Sequence, residues 1–117
     1  MQTEQEIKTS TAYIYAKLQE HLVGSIVEVC GCSFKRPVNA VVCNDGTSLS
    51  VQASSCHWCE PREDVGPYSQ VEVWCIRKGS ESVAEVSEFE YSEEEPSAYV
   101  PIENVVLFIA NRGGFKE

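Results

Sequence analysis

Residues 44–46 read Asn-Asp-Gly and stand between two runs of strand-like alternation, 38–43 and 47–53. A tight hairpin needs backbone at positive φ, which Asn, Asp and Gly adopt at little cost, so the triplet ties the two runs into an antiparallel pair. Leu49, Val51 and Ala53 then face inward, with Ser48, Ser50 and Gln52 outward. A lone hairpin is not stable, so the rest of the chain must widen the sheet and cover its apolar face.

The flanking segments suit both tasks. Residues 3–23 carry Ile7, Thr11, Ile14, Leu18 and Leu22 at three- and four-residue spacing, widened by Tyr15. Glu4 and Lys8 form an i,i+4 pair on the outer side and Gly24 is the stop, which predicts one amphipathic helix. Its stripe is expected to pack on the sheet; a homodimer face is the other use for it. Residues 26–30 predict a strand broken by Gly31. Residues 71–76 predict another, in which Val71, Val73 and Cys75 alternate with Glu72, Trp74 and Ile76, so cover is expected on both faces. Residues 83–91 alternate weakly and predict an edge strand blunted by glutamates. Pro101 suits the first position of a last helix, with Glu103 in its first turn and a stripe of Ile102, Val105, Val106 and Ile109. Arg112 falls in its last turn and Gly113-Gly114 ends it. The expected fold is therefore a single α+β domain over residues 1–117: an N-terminal helix, a mainly antiparallel β-sheet of four to five strands and a C-terminal helix.

Charge is the second constraint. The formal net charge is -9, and no lysine or arginine lies between Gly79 and Asn111. That span holds Glu81, Glu85, Glu88, Glu90, Glu93, Glu94, Glu95 and Glu103, interleaved with Phe89, Tyr91 and Tyr99. Such a chain repels phosphates, so direct nucleic-acid binding is not expected, whereas a basic protein partner is. The ordinary use of such charge is to keep a small domain soluble, with 92–97 a solvated loop. No apolar run is long enough to span a bilayer. The opening MQTEQEIKTS lacks secretory features, and six cysteines without such a signal point to free thiols in a cytoplasm.

The long connection between 47–53 and 71–76 is where function is expected. It carries Cys56, His57, Trp58, Cys59, Pro61, Arg62, Gly66, Pro67 and Tyr68, a composition too rich in aromatics for a disordered linker. Arg62, near Trp58 and Tyr68, can stack on a ring and bridge carboxylates; its structural alternative is to pin the loop to Glu60 or Asp64. Cys56 and Cys59 form a CxxC pair and Cys30 and Cys32 a CxC pair, four thiolates that a structural zinc would take. Cys43 and Cys75 sit at strand positions suited to core thiols. CxxC has no strand-then-helix context for redox chemistry, and His57 has no third group to orient it as a base. No catalytic residue, metal or cofactor is expected, and His21 is read as a surface or capping residue.

Ser50, Val51, Gln52, Ala53 and Ser54, then Trp58, Cys59, Pro61 and Arg62, then Gly66, Pro67, Tyr68, Val71, Glu72 and Val73, form a pattern. It resembles one shared by small uncharacterised proteins of bacteriophages and prophages of gut bacteria. Tyr99 to Glu103 and the terminal Gly-Gly are similar too. Cys56 lies outside the pattern, and after Val73 an acid-rich span replaces a Pro-containing one. The resemblance implies a phage-encoded protein acting in the host cytoplasm. With the charge, it implies inhibition of a host defence component by protein contact, foremost a CRISPR effector. The contact residues so expected are Trp58, Arg62, Tyr68, Glu88, Glu90, Glu93, Glu94 and Glu95. The alternatives are a sponge for a cyclic-nucleotide immune signal, with Arg62 or Arg112 on phosphate, and a zinc-stabilised interaction module.

Overall fold

The structure, a computed structural model, describes residues 2–117. Two helices open it, α1 (Glu4–Lys8) and α2 (Thr11–His21), followed by seven strands and α3 (Ile102–Ala110). The strands are β1 (Ile26–Val29), β2 (Cys32–Lys35), β3 (Val41–Val42), β4 (Thr47–Gln52), β5 (Gln70–Lys78), β6 (Glu81–Ser82) and β7 (Ser97–Pro101). The α+β class holds. No helix among the described residues is long and apolar enough to cross a membrane.

The single helix expected over 3–23 is two. The Thr9 hydroxyl donates to the Gln5 and Glu6 carbonyls, and Ser10 Oγ accepts from the Tyr13 N–H, so a Thr-Ser pair ends one helix and caps the next. Only Ile14, Leu18 and Leu22 of the expected stripe are buried; Ile7, Thr11 and Tyr15 are exposed. The Glu4–Lys8 pair forms at 3.0 Å.

Residues 44–46 turn the chain as expected, with the Gly46 N–H donating to Cys43 O and the Cys43 N–H to Thr47 O. Val41 pairs with Leu49 across the hairpin. β5 is the spine of a five-stranded antiparallel sheet: β4, itself paired with β3, lies along one side of it, and β6 and β7 share the other. The edge strand expected over 83–91 does not form. Val83, Val86 and Phe89 recur every third residue, a spacing that no strand can turn to one face, and they pack against the core as an irregular cover. β7 takes the vacant edge instead, which makes Pro101 the cap of α3 and Ile102 its first residue.

The alternation along β5 also differs from expectation. Ser48 pairs with Arg77 and Ser50 with Trp74, so β5 carries one extra residue, and Cys75 sits in the bulge at φ 54. Ile76 is thereby returned to the core while Cys75, expected as a core thiol, is exposed. The outer face of β5 carries no helix and is only partly covered, with Glu72 half-buried and Trp74 37% exposed. A Cβ in the left-handed region is strained, so Cys75→Gly is expected to stabilise the fold by about 0.5–1 kcal/mol after the entropy of the more flexible unfolded chain is set against it. A urea titration checks the sign.

One core joins α2, α3 and the inner face of the sheet: Ile14, Leu18, Leu49, Val51, Val71, Val73, Ile76, Val105, Phe108 and Ile109 are all essentially fully buried. All four expected stripe residues of α3 are in it, together with Phe108. Gly114 closes α3 by donating its N–H to Ile109 O. At φ 84 it brings the chain against α1, where an added Cβ would lie 2.8 Å from Lys8 O.

Candidate functional site

The loop from β4 to β5 is held by its own polar groups. Ser54 is buried; its Oγ accepts from the Cys56 N–H at 3.0 Å and lies 2.6 Å from His57 Nδ1. Asp64 Oδ1 accepts from the Ser55 N–H, and Tyr68 donates its hydroxyl to Glu63 O at 2.8 Å. The Gln19 amide, reaching from α2, donates to Tyr68 O and accepts from Tyr68 N–H. Glu60-Pro61 and Gly66-Pro67 are cis. With the loop's polar interior so occupied, Trp58 is turned out, 47% exposed.

The backbone at that ring is fastened to the sheet, on the outer face of β5 and along β7. The Trp58 N–H donates to Glu72 Oε2 at 3.2 Å, and Trp58 O accepts from the Tyr99 N–H at 3.0 Å. Tyr99 sits at φ 51 in a second bulge, where two residues of β7 oppose Glu72. This bulge keeps Val100 in the core and leaves Tyr99 45% exposed. Beyond it the acidic segment folds as a turn, Ser92 bridging to Glu95, and its Glu93 carbonyl accepts from the Trp74 indole N–H at 3.3 Å.

Between these parts lies an open groove of ≈ 1040 Å³. Trp58 forms one wall; Phe89, Tyr91 and Pro96 give it apolar surface; Glu85, Glu90 and Glu95 give it charge. Glu93 and Glu94 are exposed at the neighbouring turn. Residues far apart in sequence, one from the loop and the rest from the acidic segment, thus share one concave surface. It combines aromatic area with negative potential, which suits a cationic and partly apolar partner segment.

Three of the expected contact residues are placed differently. Tyr68 is 2% exposed and belongs to the core, so it shapes the loop and offers no surface. Arg62 is exposed but lies outside the groove lining, and it has no ion pair to Glu60 or Asp64 among the described residues. Glu88 is withdrawn from solvent, its side chain 4% exposed, and its Oε2 accepts from Arg112 Nη1 at 2.9 Å and from Asn111 Nδ2 at 3.0 Å. Burial pushes this carboxyl up, but the bonds from Asn111 and Arg112 outweigh it and hold it below the ordinary glutamate value. Its Oε1 is buried with no partner among the described residues. Arg112 also lies over the Phe108 ring, 3.5 Å from its centroid. It is therefore committed within the fold, and neither arginine suggested for a phosphate lines the groove.

Sequence reasoning missed Lys35. It is 6% exposed and donates Nζ to the carbonyls of Leu22 and of Ala53, the latter at 2.6 Å. The ammonium also lies 3.4 Å from the Tyr68 hydroxyl and 5.0 Å from its ring centroid. One cation so ties the end of α2, the end of β4 and the loop. No local signal marks it, since lysine in a polar stretch reads as a surface residue.

The cysteine pairs are separated. Cys59 is buried and donates its thiol to Ser54 O and Pro61 O, and burial pushes the thiol up, away from the thiolate a metal requires. Cys30 and Cys32 are exposed around the β1–β2 turn. No three His, Cys, Asp or Glu side chains among the described residues are placed to hold one metal ion. All six cysteines are free, with Cys43 buried and its thiol pushed up to about 12.

No protein-family model, curated protein or solved structure matches this chain.

Proposed function

We propose that the protein is an acidic binding domain that takes a basic segment of a partner protein into the groove between Trp58 and the 85–98 segment. The observation that carries this reading is the juxtaposition of Trp58 with Glu85, Glu90 and Glu95 on one open groove with an aromatic floor. Charge of this kind speeds encounter with a cationic partner, while the desolvated aromatic contacts supply lifetime. The likeness to phage proteins gives the partner its class: a host defence component, foremost a CRISPR effector. Its nucleic-acid channel is basic, and an acidic groove can occupy it as a phosphate backbone would. Inhibition then follows from occupancy and needs no chemistry.

The reading is tested by capture of effector complexes from a phage-host lysate at graded salt, followed by titration of the purified pair. Trp58→Ala is expected to weaken binding roughly 30-fold or more, as an aromatic hot spot does. Reversal of Glu90, Glu93, Glu94 and Glu95 to lysine should slow association and flatten its salt dependence. Binding that ignores both sets of changes, or recovery of no protein at all, overturns the reading. A thermal shift with cyclic nucleotides in place of protein would move the assignment to the small-ligand alternative.

A further inference from the structure

A second concavity lies where the end of α2 meets the segment leaving β2, an open pocket of ≈ 330 Å³. Its walls are fixed by the fold. His21 Nε2 lies 2.7 Å from Asn39 O and is the protonated ring nitrogen, since a carbonyl only accepts. The Arg36 N–H donates to Ser25 O at 2.9 Å. The Gln52 amide reaches across from β4 and holds Val38, accepting from its N–H at 2.9 Å and donating to its O at 2.8 Å. Gly24 lines the pocket at φ 61, and an added Cβ there would lie 2.9 Å from Lys35 Cε, so the stem of the buried lysine runs directly behind this wall.

The side chains that these bonds leave over are all donors. The Arg36 guanidinium, the Ser25 hydroxyl and the Asn39 amide line the pocket, and none has a hydrogen-bond or ion-pair partner among the described residues. No carboxylate lines it. The chain has 18 acidic and 9 basic residues, and Lys8, Lys17, Lys78 and Arg112 each hold a carboxylate. An arginine left over beside an acid-free pocket therefore marks where an anion is complementary. We propose that this pocket binds the terminal phosphate of a small phosphomonoester. Arg36 supplies a planar fork that matches two phosphate oxygens, and Ser25 and Asn39 supply donors for a third, whereas a diester presents only two free oxygens. Pro37 and Val38 give the organic part apolar surface, and a volume at the low end of ligand cavities limits that part to one small ring. The chain's distant acids do not forbid this, because salt screens them beyond about 8 Å at physiological ionic strength. The pocket shares no lining residue with the Trp58 groove and does not depend on how that groove is used.

An NMR titration of the full chain at constant ionic strength tests the proposal. Ribose 5-phosphate should shift the amide signals of Gly24, Ser25, Arg36 and Asn39 saturably, and ribose should shift none. Inorganic phosphate should bind more weakly than the ester, since it gains nothing from Pro37 and Val38. Arg36→Gln should weaken binding roughly tenfold or more, the loss of a charged fork, and Asn39→Asp should weaken it by setting a carboxylate against the phosphate. Arg62→Gln, which removes an exposed arginine outside the pocket, should leave it unchanged. The Arg36 and Asn39 side chains are exposed, so unchanged melting temperatures verify the fold of both variants. Shifts that do not saturate, an Arg36→Gln variant that binds as the wild type does, or an equal loss from Arg62→Gln would each overturn the site. Inorganic phosphate binding as tightly as the ester would overturn the assignment of an ester.

Discussion

Arg112→Ala is expected to cost about 3–5 kcal/mol, because it leaves the Glu88 carboxylate buried without its counter-charge. That would remove a large share of the about 5–15 kcal/mol that holds a domain of this size together. The side chain of Glu88 is 4% exposed and its Oε1 has no partner among the described residues, so loss of the guanidinium leaves Asn111 Nδ2 as its one side-chain donor among them. The loss extends beyond charge, since the guanidinium also covers the Phe108 ring. Replacement of both partners, Glu88→Met with Arg112→Met, should recover much of the deficit, since an apolar pair needs no desolvation of ions. Urea denaturation of the two singles and the double reads the coupling directly.

The same pair sets an acid limb. The folded value of Glu88 lies below the unfolded one, so its contribution is complete above the ordinary carboxyl value of 4.5 and is lost as pH falls through the folded value. Stability of the wild type should decline there, and Glu88→Gln should flatten the decline. The consequence for binding is indirect. Glu88 anchors the cover segment to the end of α3, so it holds in place the acids that line the groove.

Lys35→Met should cost about 2–4 kcal/mol by leaving the Leu22 and Ala53 carbonyls without a donor while preserving the aliphatic stem. Hydrogen exchange should rise in β2, at the ends of α2 and β4 and in the loop around Tyr68, the parts that this cation joins, and less in α3. Burial lowers the Lys35 pKa, against the opposing charges of Asp64 and Cys59. A lowered folded value means that the unfolded chain binds the proton more tightly. Stability therefore rises with pH between the folded value and the ordinary 10.5, and below the folded value the cost of burial is present in full. Lys35→Met should abolish that alkaline rise. Equal exchange in all elements, or a melt indistinguishable from the wild type, would show that the carbonyls find other donors.

Much of this architecture is legible in the chain. The Asn-Asp-Gly turn, the stripe of α3 and the acid run were each readable because they depend on residues adjacent in sequence: a φ preference, a helical period, a charge density. The exposed Trp58 was readable as a loop feature, though its position beside the acids was not. Two elements were misread where local signals compete. The helix over 3–23 failed at Thr9-Ser10, whose hydroxyls compete for backbone groups, a signal that was present but outweighed by the apolar spacing. The strand over 83–91 failed because weak alternation competed with a three-residue spacing, and only the body of the protein chose between them.

Elements whose stability is local, together with an acidic surface and a place for a binding loop, follow from residue order alone. Tertiary structure decided which acid leaves the surface, since Glu88 is buried by an arginine 24 residues away while Glu90 and Glu93–Glu95 stay in solvent. It decided that Ile76 rather than Cys75 fills the core, because a bulge changes strand parity only once a neighbour strand sets the register. It also made Lys35 internal, by surrounding one ammonium with carbonyls from two other elements. In each case the deciding energy is the desolvation of a charge or of an apolar side chain, and that depends on neighbours the fold supplies.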